Sequence, residues 1–275
     1  MKTTCEICPH HCALEEGQIG FCGARENCRG NVVCANYGQV TALALDPIEK
    51  KPLRHFYPGS KILSVGSYGC NLRCPFCQNY EISMADAIQA ETIFLPPEAL
   101  VQRAEELIPR GNIGIAYTYN EPLVGYEYVR DCAMLAREKG LKNVVVTNGY
   151  ICSEPFCALL PWIDAWNIDL KGFQKSFYEA LSGDLETVKR NIAEAATQSH
   201  VEVTTLIVPG KNDTEQEMRQ LSQWLSSIDR RIPLHVTRFF PRYHMEDCPA
   251  TSVRTVNCLA GIARESLENV YVGNC

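Results

Sequence analysis

The chain has 275 residues, of which 46% are hydrophobic and 21% charged, so it is long enough to bury one large core with a small additional unit. Its formal net charge of −6, without any block rich in Lys and Arg, argues against nucleic acid as the main partner. No apolar run approaches the length of a membrane span, and the first residues are not an apolar export signal, so we expect a cytoplasmic protein with no membrane partner. The 15 cysteines, an odd number, favour reduced thiols that bind metal over disulfides.

Residues 1–60 are rich in Cys and Gly and poor in helical periodicity, which predicts a small N-terminal appendage. It holds four closely spaced cysteines: Cys5, Cys8, Cys12 and Cys22. Four thiols suffice for tetrahedral zinc or for a second iron–sulfur cluster, and a metal would organise a segment too small and polar to fold alone. His10 and His11 compete with these thiols as ligands, and Cys28 and Cys34 add further donors. Partly buried free thiols are the alternative interpretation.

Residues 61–275 alternate between strand-like and helix-like segments. Strands are predicted near 61–66, 112–118, 143–147, 164–169, 201–208 and 233–239. Helices are predicted near 97–109, 123–139, 153–160, 185–198, 214–228 and 253–267. These six βα units predict an α/β fold with a parallel sheet and right-handed crossovers. Six units cannot easily close a full eight-stranded barrel.

Three cysteines follow the first predicted strand at the spacing C-x3-C-x2-C, namely Cys70, Cys74 and Cys77. Three thiolates on one loop can hold three irons of a four-iron, four-sulfur cluster and leave the fourth iron open to a small molecule. A structural zinc site normally has a fourth Cys or His at matching spacing, and a C-x-x-C redox pair does not explain the third cysteine. A zinc site that takes a distant fourth ligand stays open as an alternative.

Polar residues also follow other predicted strands, among them Glu121 and Lys171. Because the carboxyl ends of parallel strands meet at one rim, we expect these side chains to share a pocket with the cysteine loop. The alternative is that they are ordinary surface charges on βα loops, which is the usual location of Glu and Lys.

These motifs resemble those of the radical S-adenosylmethionine (SAM) superfamily. The cysteine triplet has the family's aromatic residue, Phe76, just before its last cysteine. Asn120-Glu121-Pro122 is similar to the family's short Glu-containing motif. The runs 145–149 and 167–172 look like the third and fourth strand-end motifs of the branch that contains glycyl-radical activating enzymes.

The resemblance implies that the three cysteines of the triplet bind iron and take part in catalysis. It implies that six residues bind SAM: Phe76, Asn120, Glu121, Asn148, Asp169 and Lys171. Asn120 and Glu121 would meet the SAM ammonium, and Lys171 would meet its carboxylate, with Asp169 orienting Lys171 or joining the same polar network.

Phe76 would lie on the adenine side of SAM, and Asn148 near its ribose or methionine part. A SAM zwitterion needs both an acceptor for its ammonium and a donor for its carboxylate, which agrees with these residue types. Activating enzymes carry an Asp in the third-strand motif where this chain has Val146, so their monovalent-cation site is not expected here.

The chain most closely resembles the radical SAM member of the AmmeMemoRadiSam system, over nearly its whole length. The matching runs are 8–12, 20–25, 46–52, 55–60, 70–82, 117–122 and 237–241. This resemblance implies a partial (βα)6 TIM-like barrel, open on one side, with the Cys-rich appendage. It also implies Memo-like and AMMECR1-like proteins as partners and an external one-electron donor of the flavodoxin or ferredoxin type.

The activity implied by the superfamily is anaerobic, reductive cleavage of SAM followed by hydrogen abstraction from a substrate. Four residues are candidates for the substrate side: Tyr119, Arg238, Tyr243 and His244. Two other functions stay open, an activase that places a glycyl radical on a partner protein and a non-catalytic, metal-binding interaction module.

Overall fold

The computed structural model describes residues 2–275. The strands are β1 (Thr3–Thr4), β2 (Ala13–Leu14), β3 (Arg25–Cys28), β4 (Asn31–Cys34), β5 (Gln39–Val40), β6 (Ala42–Pro47), β7 (Lys61–Gly66), β8 (Ile93–Phe94), β9 (Asn112–Tyr117), β10 (Lys142–Thr147), β11 (Ala165–Asp169), β12 (His200–Ile207), β13 (Leu234–Arg238) and β14 (Val270–Gly273). The α-helices are α1 (Tyr80–Ser83), α2 (Pro97–Glu106), α3 (Tyr126–Glu138), α4 (Ser153–Leu159), α5 (Lys175–Ala180), α6 (Leu185–Ala196), α7 (Glu215–Ile228) and α8 (Val253–Ala263). Within residues 2–275, no helix is both long enough and apolar enough to cross a membrane.

One eight-stranded sheet forms the centre of the molecule, in the order β14-β13-β12-β11-β10-β9-β7-β6. Each neighbouring pair from β7 to β14 is parallel, and only β6 runs antiparallel to its neighbour. The central strands are buried on both faces, as in parallel sheets covered by helices, so they are nearly continuous apolar runs. Val144 and Val145 on β10, for example, are both fully buried. All six predicted strands and all six predicted helices are therefore confirmed.

Local sequence sets the start of several helices. Pro97 occupies the first turn of α2, where its missing N–H costs no hydrogen bond. The side chain of Asp184 accepts a hydrogen bond from the Thr187 amide at the start of α6. These features fix where α2 and α6 begin, while the parallel pairing of the strands places their carboxyl ends on a common side.

Residues 42–56 belong to the central structure. β6 pairs with β7 along its whole length, with Leu45 opposite Leu63. A second apolar cluster joins the segment after β6 to the sheet through Ile48, Leu53 and Phe56, of which the first two are fully buried. The prediction that all of residues 1–60 form an appendage is therefore wrong for its last part. β6 is an edge strand of the central sheet, and the segment after β6 packs against that sheet.

The preceding segment docks on helix α3 through a buried ion pair. The guanidinium of Arg25 on β3 donates two hydrogen bonds to the carboxylate of Glu127 on α3, at 2.7 and 2.8 Å. Arg25 is only 4% exposed and also donates to the carbonyl of Val124. Paired, bidentate geometry is what makes a buried charge tolerable, so this contact fixes where the Cys-rich segment sits.

Candidate active site

A cavity of about 620 Å³ lies at the carboxyl ends of the parallel strands. All nine site residues predicted in the segment 61–275 line it: Cys70, Cys74, Phe76, Cys77, Asn120, Glu121, Asn148, Asp169 and Lys171. The cavity continues across the sheet to residues 49–54 and to strand β14. The strand-end motifs therefore share one pocket, and Glu121 and Lys171 are not separate surface charges.

The cysteine loop is packed against the N-terminal segment. Gly69 has a φ of +89° and lies so close to Cys22 that a Cβ atom would be 2.6 Å from the Cys22 carbonyl oxygen. The Cys70 amide donates to that same oxygen at 3.1 Å. Only glycine fits this conformation and this approach. The N-terminal segment thus holds the cysteine loop in place through its contact at Cys22.

The thiols of the triplet are in a desolvated environment. Burial raises the pKa of Cys74 to about 11 and that of Cys70 well above its usual value. Two N–H groups point at the sulfur of Cys70, the amide of Leu72 at 3.4 Å and the side chain of Asn148 at 3.7 Å. Such thiols are unreactive when protonated, and a metal that binds them removes the proton.

In residues 2–275 no three His, Cys, Asp or Glu side chains form a group that could hold a metal ion. A four-iron cluster has a different requirement, since each cysteine binds its own iron rather than a shared ion. The three thiols on one loop, at one edge of a cavity, meet that requirement in residue type and placement.

Glu121 is buried beside the cysteine loop and forms three hydrogen bonds. Its carboxylate accepts from the Thr147 hydroxyl at 2.6 Å, the Asn148 amide at 2.7 Å and the Leu123 amide at 3.0 Å. Burial raises its pKa to about 7, although these three donors lower it. A carboxylate has about four acceptor positions, so one remains for a cationic group in the cavity.

Lys171 supplies the cation on the other side of the cavity. Its Nζ is 2.7 Å from Oδ2 of Asp169, and its side chain is 17% exposed. Burial alone would lower the pKa of Lys171, but Asp169 and the neighbouring thiols outweigh this effect and raise it. An ammonium has three donors, so two remain beyond the Asp169 contact.

Asn120 has a different environment from the one its predicted role requires. Its Nδ2 donates to the carbonyls of Tyr68, Gly69 and Glu121, and its Oδ1 accepts from the Ser67 amide. The side chain thus ties β7 and the cysteine loop to the Glu121 turn. Its contact with the SAM ammonium stays a prediction.

Asn148 lies against the cysteine loop, and Phe76 lies within it. Asn148 donates to Oδ1 of Asn71 at 2.9 Å as well as pointing at Cys70. Phe76 is 4% exposed and its ring stacks 6.2 Å from that of Phe177. The predicted contacts of these two residues with SAM stay predictions.

A family model for the radical SAM superfamily matches residues 64–225, which include the cysteine triplet and the Glu121 and Lys171 motifs. This chain belongs to the radical SAM superfamily. It is 42% identical over 276 residues to an uncharacterized protein of Methanocaldococcus jannaschii, covering 99% of this chain and 81% of that one. It is 25% identical over 166 residues to a pyruvate formate-lyase-activating enzyme of Clostridium pasteurianum, covering 58% of this chain and 67% of that one.

The fold is shared with a solved radical SAM methyltransferase from Sphaerobacter thermophilus. The TM-score is 0.58 at 17% identity, over 79% of this chain and 67% of that one. At this identity the likeness concerns the fold alone, an α/β architecture with a mostly parallel central sheet.

Membership in the radical SAM superfamily implies a [4Fe–4S] cluster and SAM, and the chemistry of the cavity fits both. Three thiols leave one iron of a four-iron cluster without a protein ligand. Glu121 retains an acceptor position for an ammonium, and Lys171 retains donors for a carboxylate. Superfamily members are enzymes, and this residue set is consistent with that class.

The four cysteines of the N-terminal segment are also brought together. Cys5, Cys8, Cys12 and Cys22 line one small cavity beside the cysteine loop. His10 lines the same cavity, with its Nε2 2.8 Å from the Asn71 carbonyl, and His11 Nδ1 lies 3.1 Å from Glu6, so each histidine keeps one ring nitrogen that can compete as a ligand. A metal at these cysteines stays a prediction.

Of the four substrate-side candidates, only Tyr119 lines the cavity. Arg238 donates through Nε to the Thr251 carbonyl at 2.6 Å, and Tyr243 stacks on Tyr80 at 4.6 Å.

Sequence reasoning missed Asn71 and Thr147, which fix Asn148 and Glu121. Asn71 lies within the cysteine triplet and Thr147 within the run 145–149. Their positions inside these two motifs are the sequence signal that could have identified them.

Proposed function

We propose that this chain is a radical SAM enzyme that uses a [4Fe–4S] cluster to cleave SAM reductively and to abstract a hydrogen atom from a substrate through the 5′-deoxyadenosyl radical. The observation that carries the proposal is the single cavity that joins three thiols, a carboxylate with a spare acceptor position and an ammonium with spare donors. The cofactors supply the one-electron chemistry, and the protein supplies orientation and a dry site.

Each contact that the cluster and SAM require has a residue in this proposal. Cys70, Cys74 and Cys77 hold the cluster, Glu121 accepts from the SAM ammonium, and Lys171 donates to its carboxylate. The two charged groups lie at different strand ends, so they fix the methionine part of SAM at two points. Their burial strengthens both contacts, because water competes little for them.

Anaerobic reconstitution with iron and sulfide tests this function. The wild-type protein is expected to turn brown, to lose that absorbance on oxidation, and to release 5′-deoxyadenosine from SAM when it is reduced with dithionite. Protein that stays colourless and carries only zinc would contradict the proposal and favour the non-catalytic module. Deuterated candidate substrates, with the label followed into 5′-deoxyadenosine, would then identify the hydrogen donor.

We further propose membership in the AmmeMemoRadiSam type, with a cytoplasmic location, Memo-like and AMMECR1-like partners and an external flavodoxin- or ferredoxin-type electron donor. The motif runs of the sequence support this assignment, since they extend from the Cys-rich segment to β13. The sheet would act as a partial (βα)6 barrel whose open side lies between β6 and β14, the two unpaired edges of the sheet order.

An activase for a glycyl-radical protein is the second candidate. The similarity to a pyruvate formate-lyase-activating enzyme supports it, over 58% of this chain. Electron paramagnetic resonance distinguishes the two, because an activase would leave a persistent glycyl radical on its partner protein whereas an enzyme acting on a small molecule would not.

We also propose a second metal, zinc or an iron–sulfur cluster, at Cys5, Cys8, Cys12 and Cys22. Their common cavity supports it. The thiol side chains would have to turn toward one another, since no metal-binding group is formed by residues 2–275 as they stand.

Cys8→Ala tests the second metal. We expect the variant to lose the metal of the N-terminal segment while it keeps the barrel cluster, because the barrel cysteines are on a separate loop. Elemental analysis of iron and zinc, together with the visible spectrum, checks this result. Equal and complete loss of iron in Cys8→Ala and in Cys74→Ala would contradict two separate sites.

A further inference from the structure

The short loop that follows β11 carries Lys171 and is held by buried side chains from three other elements. The Lys171 amide donates to the hydroxyl of Tyr178 on α5 at 3.0 Å. The Lys171 carbonyl accepts from Asn212, and the Phe173 amide donates to Glu217 on α7. Backbone groups of a surface loop would normally bond to water. Here they form hydrogen bonds with buried side chains instead. Holding those side chains in place costs conformational freedom, which indicates that the position of this loop must be precise.

Asn212 lies between β12 and α7 and is 2% exposed. Its Nδ2 donates to the Lys171 carbonyl at 2.7 Å and to the Leu206 carbonyl at 2.8 Å, while its Oδ1 accepts from the Val208 amide at 2.7 Å. One buried amide therefore ties the backbone of Lys171 to the end of the adjacent strand. Both of its polar atoms are used, so small shifts of the loop break bonds that nothing else replaces.

Glu217 is the third residue of α7 and is 4% exposed. In a capping box, a Glu at this position turns back to the amide of the N-cap residue, here Thr214. The Glu217 carboxylate instead accepts from the Phe173 amide at 2.6 Å. The helix keeps the other half of the box, because the Glu217 amide donates to the Thr214 hydroxyl at 3.3 Å. Glu217 thus serves the Lys171 loop rather than its own helix end.

The loop approaches Phe177 and Glu217 so closely that no side chain fits at position 172. A Cβ atom on Gly172 would lie 2.6 Å from Cδ1 of Phe177 and 3.0 Å from Oε1 of Glu217. The backbone of Lys171 is therefore fixed on both sides, while its own side chain is a flexible four-carbon stem. The fixed backbone at the base of the Lys171 side chain and the Asp169 carboxylate at its tip together limit where the Lys171 ammonium can lie.

We infer that Asn212 and Glu217 are positioning residues that aim Lys171 at the carboxylate of SAM, an inference that rests on the proposed function. Neither residue touches the cavity, and both act through the Lys171 backbone. A misplacement of about 1 Å at a charged contact is enough to weaken it markedly.

The test uses Glu217→Ala and Asn212→Ala in the reconstituted, unreduced protein, with the dissociation constant for SAM measured by equilibrium dialysis. We expect about a tenfold weaker binding in each variant, as for the loss of one aligned hydrogen bond to a charged ligand. The rate of 5′-deoxyadenosine release at saturating SAM is expected to change little. Glu217→Gln keeps an acceptor oxygen for the Phe173 amide and is expected to bind SAM like the wild type.

Hydrogen exchange of the 171–173 backbone amides, in the absence of SAM, reports the same contact without any activity. The exchange is expected to be faster in Glu217→Ala than in Glu217→Gln. Glu215→Ala is the matched control, because it removes an exposed carboxylate from the same first turn of α7 and should change neither exchange nor SAM binding.

The outcomes are distinct. Weaker SAM binding in both alanine variants and faster exchange in Glu217→Ala, with wild-type binding and exchange in Glu217→Gln, support the inference. Unchanged SAM binding in both alanine variants, or the same loss in Glu217→Gln or Glu215→Ala, overturns it while leaving the proposed function intact. A wild-type protein that does not bind SAM overturns the proposed function and the inference together.

Discussion

Cys74→Ala is expected to abolish the release of 5′-deoxyadenosine from SAM by the reduced, reconstituted protein. With only Cys70 and Cys77 left on the loop, a four-iron cluster has two protein ligands instead of three. Cys70, Cys74 and Cys77 are the cysteines that line the cavity, so no further thiol of the lining can replace the missing one. Chromatographic analysis of 5′-deoxyadenosine and measurement of bound iron check the loss, which should appear in both.

Cys258→Ala is the matched control, because Cys258 is exposed on α8 and lies outside the cavity. It should retain full iron content and full SAM cleavage. Retention of SAM cleavage by Cys74→Ala would refute the assignment of the cluster to this loop. Loss of activity in Cys258→Ala as well would show that thiol loss in general, rather than loss of a ligand, inactivates the protein.

The parallel strands from β7 to β13 and the helices between them could be predicted from the sequence because local pattern and tertiary environment agree there. β10, for instance, was predicted at 143–147 and spans Lys142–Thr147. The two outer strands were missed for physical reasons. β6 is an edge strand of the sheet with mixed exposure, and β14 has only four residues, so neither gives a long apolar run.

The location of the site could also be predicted, since parallel strands bring their carboxyl ends to one rim whatever the details of packing. Residues as far apart as Cys70 and Lys171 were therefore expected in one cavity, and they are. The individual hydrogen bonds could not be predicted. Asn120 is occupied by backbone groups of the cysteine loop, an outcome that depends on how two loops pack.

The contacts that hold the far side of the cavity could not be predicted from the sequence either, because they also depend on how distant segments pack. Glu202 is a charged residue on β12, and it is fully buried. Its carboxylate accepts from His200 at 2.9 Å, from His235 at 2.6 Å and from the amides of Arg54 and His55 at 2.9 and 2.7 Å. It thereby anchors the segment after β6, whose residues line the far side of the cavity. No spacing rule connects position 54 with position 202.

Glu202→Gln is expected to lower the free energy of unfolding by about 3 kcal/mol at pH 7, because it removes a buried charge whose donors then lack a matched acceptor. Urea unfolding followed by circular dichroism measures this difference. Glu154→Gln, at an exposed position on α4, is the control and should change stability by less than about 0.5 kcal/mol. An unfolding midpoint in Glu202→Gln equal to that of the wild type would show that the four hydrogen bonds contribute nothing net.

The same variant gives a pH dependence of known sign. Burial alone would raise the pKa of Glu202, but the hydrogen bonds from His200, His235 and the two amides lower it from 4.5 to about 2. A carboxylate with a lowered pKa in the folded state stabilises the fold fully above its unfolded pKa and progressively less as the pH falls toward its folded pKa. The stability difference between the wild type and Glu202→Gln should therefore shrink as the pH falls from about 4.5 to about 2. Comparing the two proteins removes the contribution of the other carboxylates, which titrate in both. A difference that stays the same down to pH 3 would mean that the ionised form of Glu202 is not what holds residues 54 and 55 against the sheet.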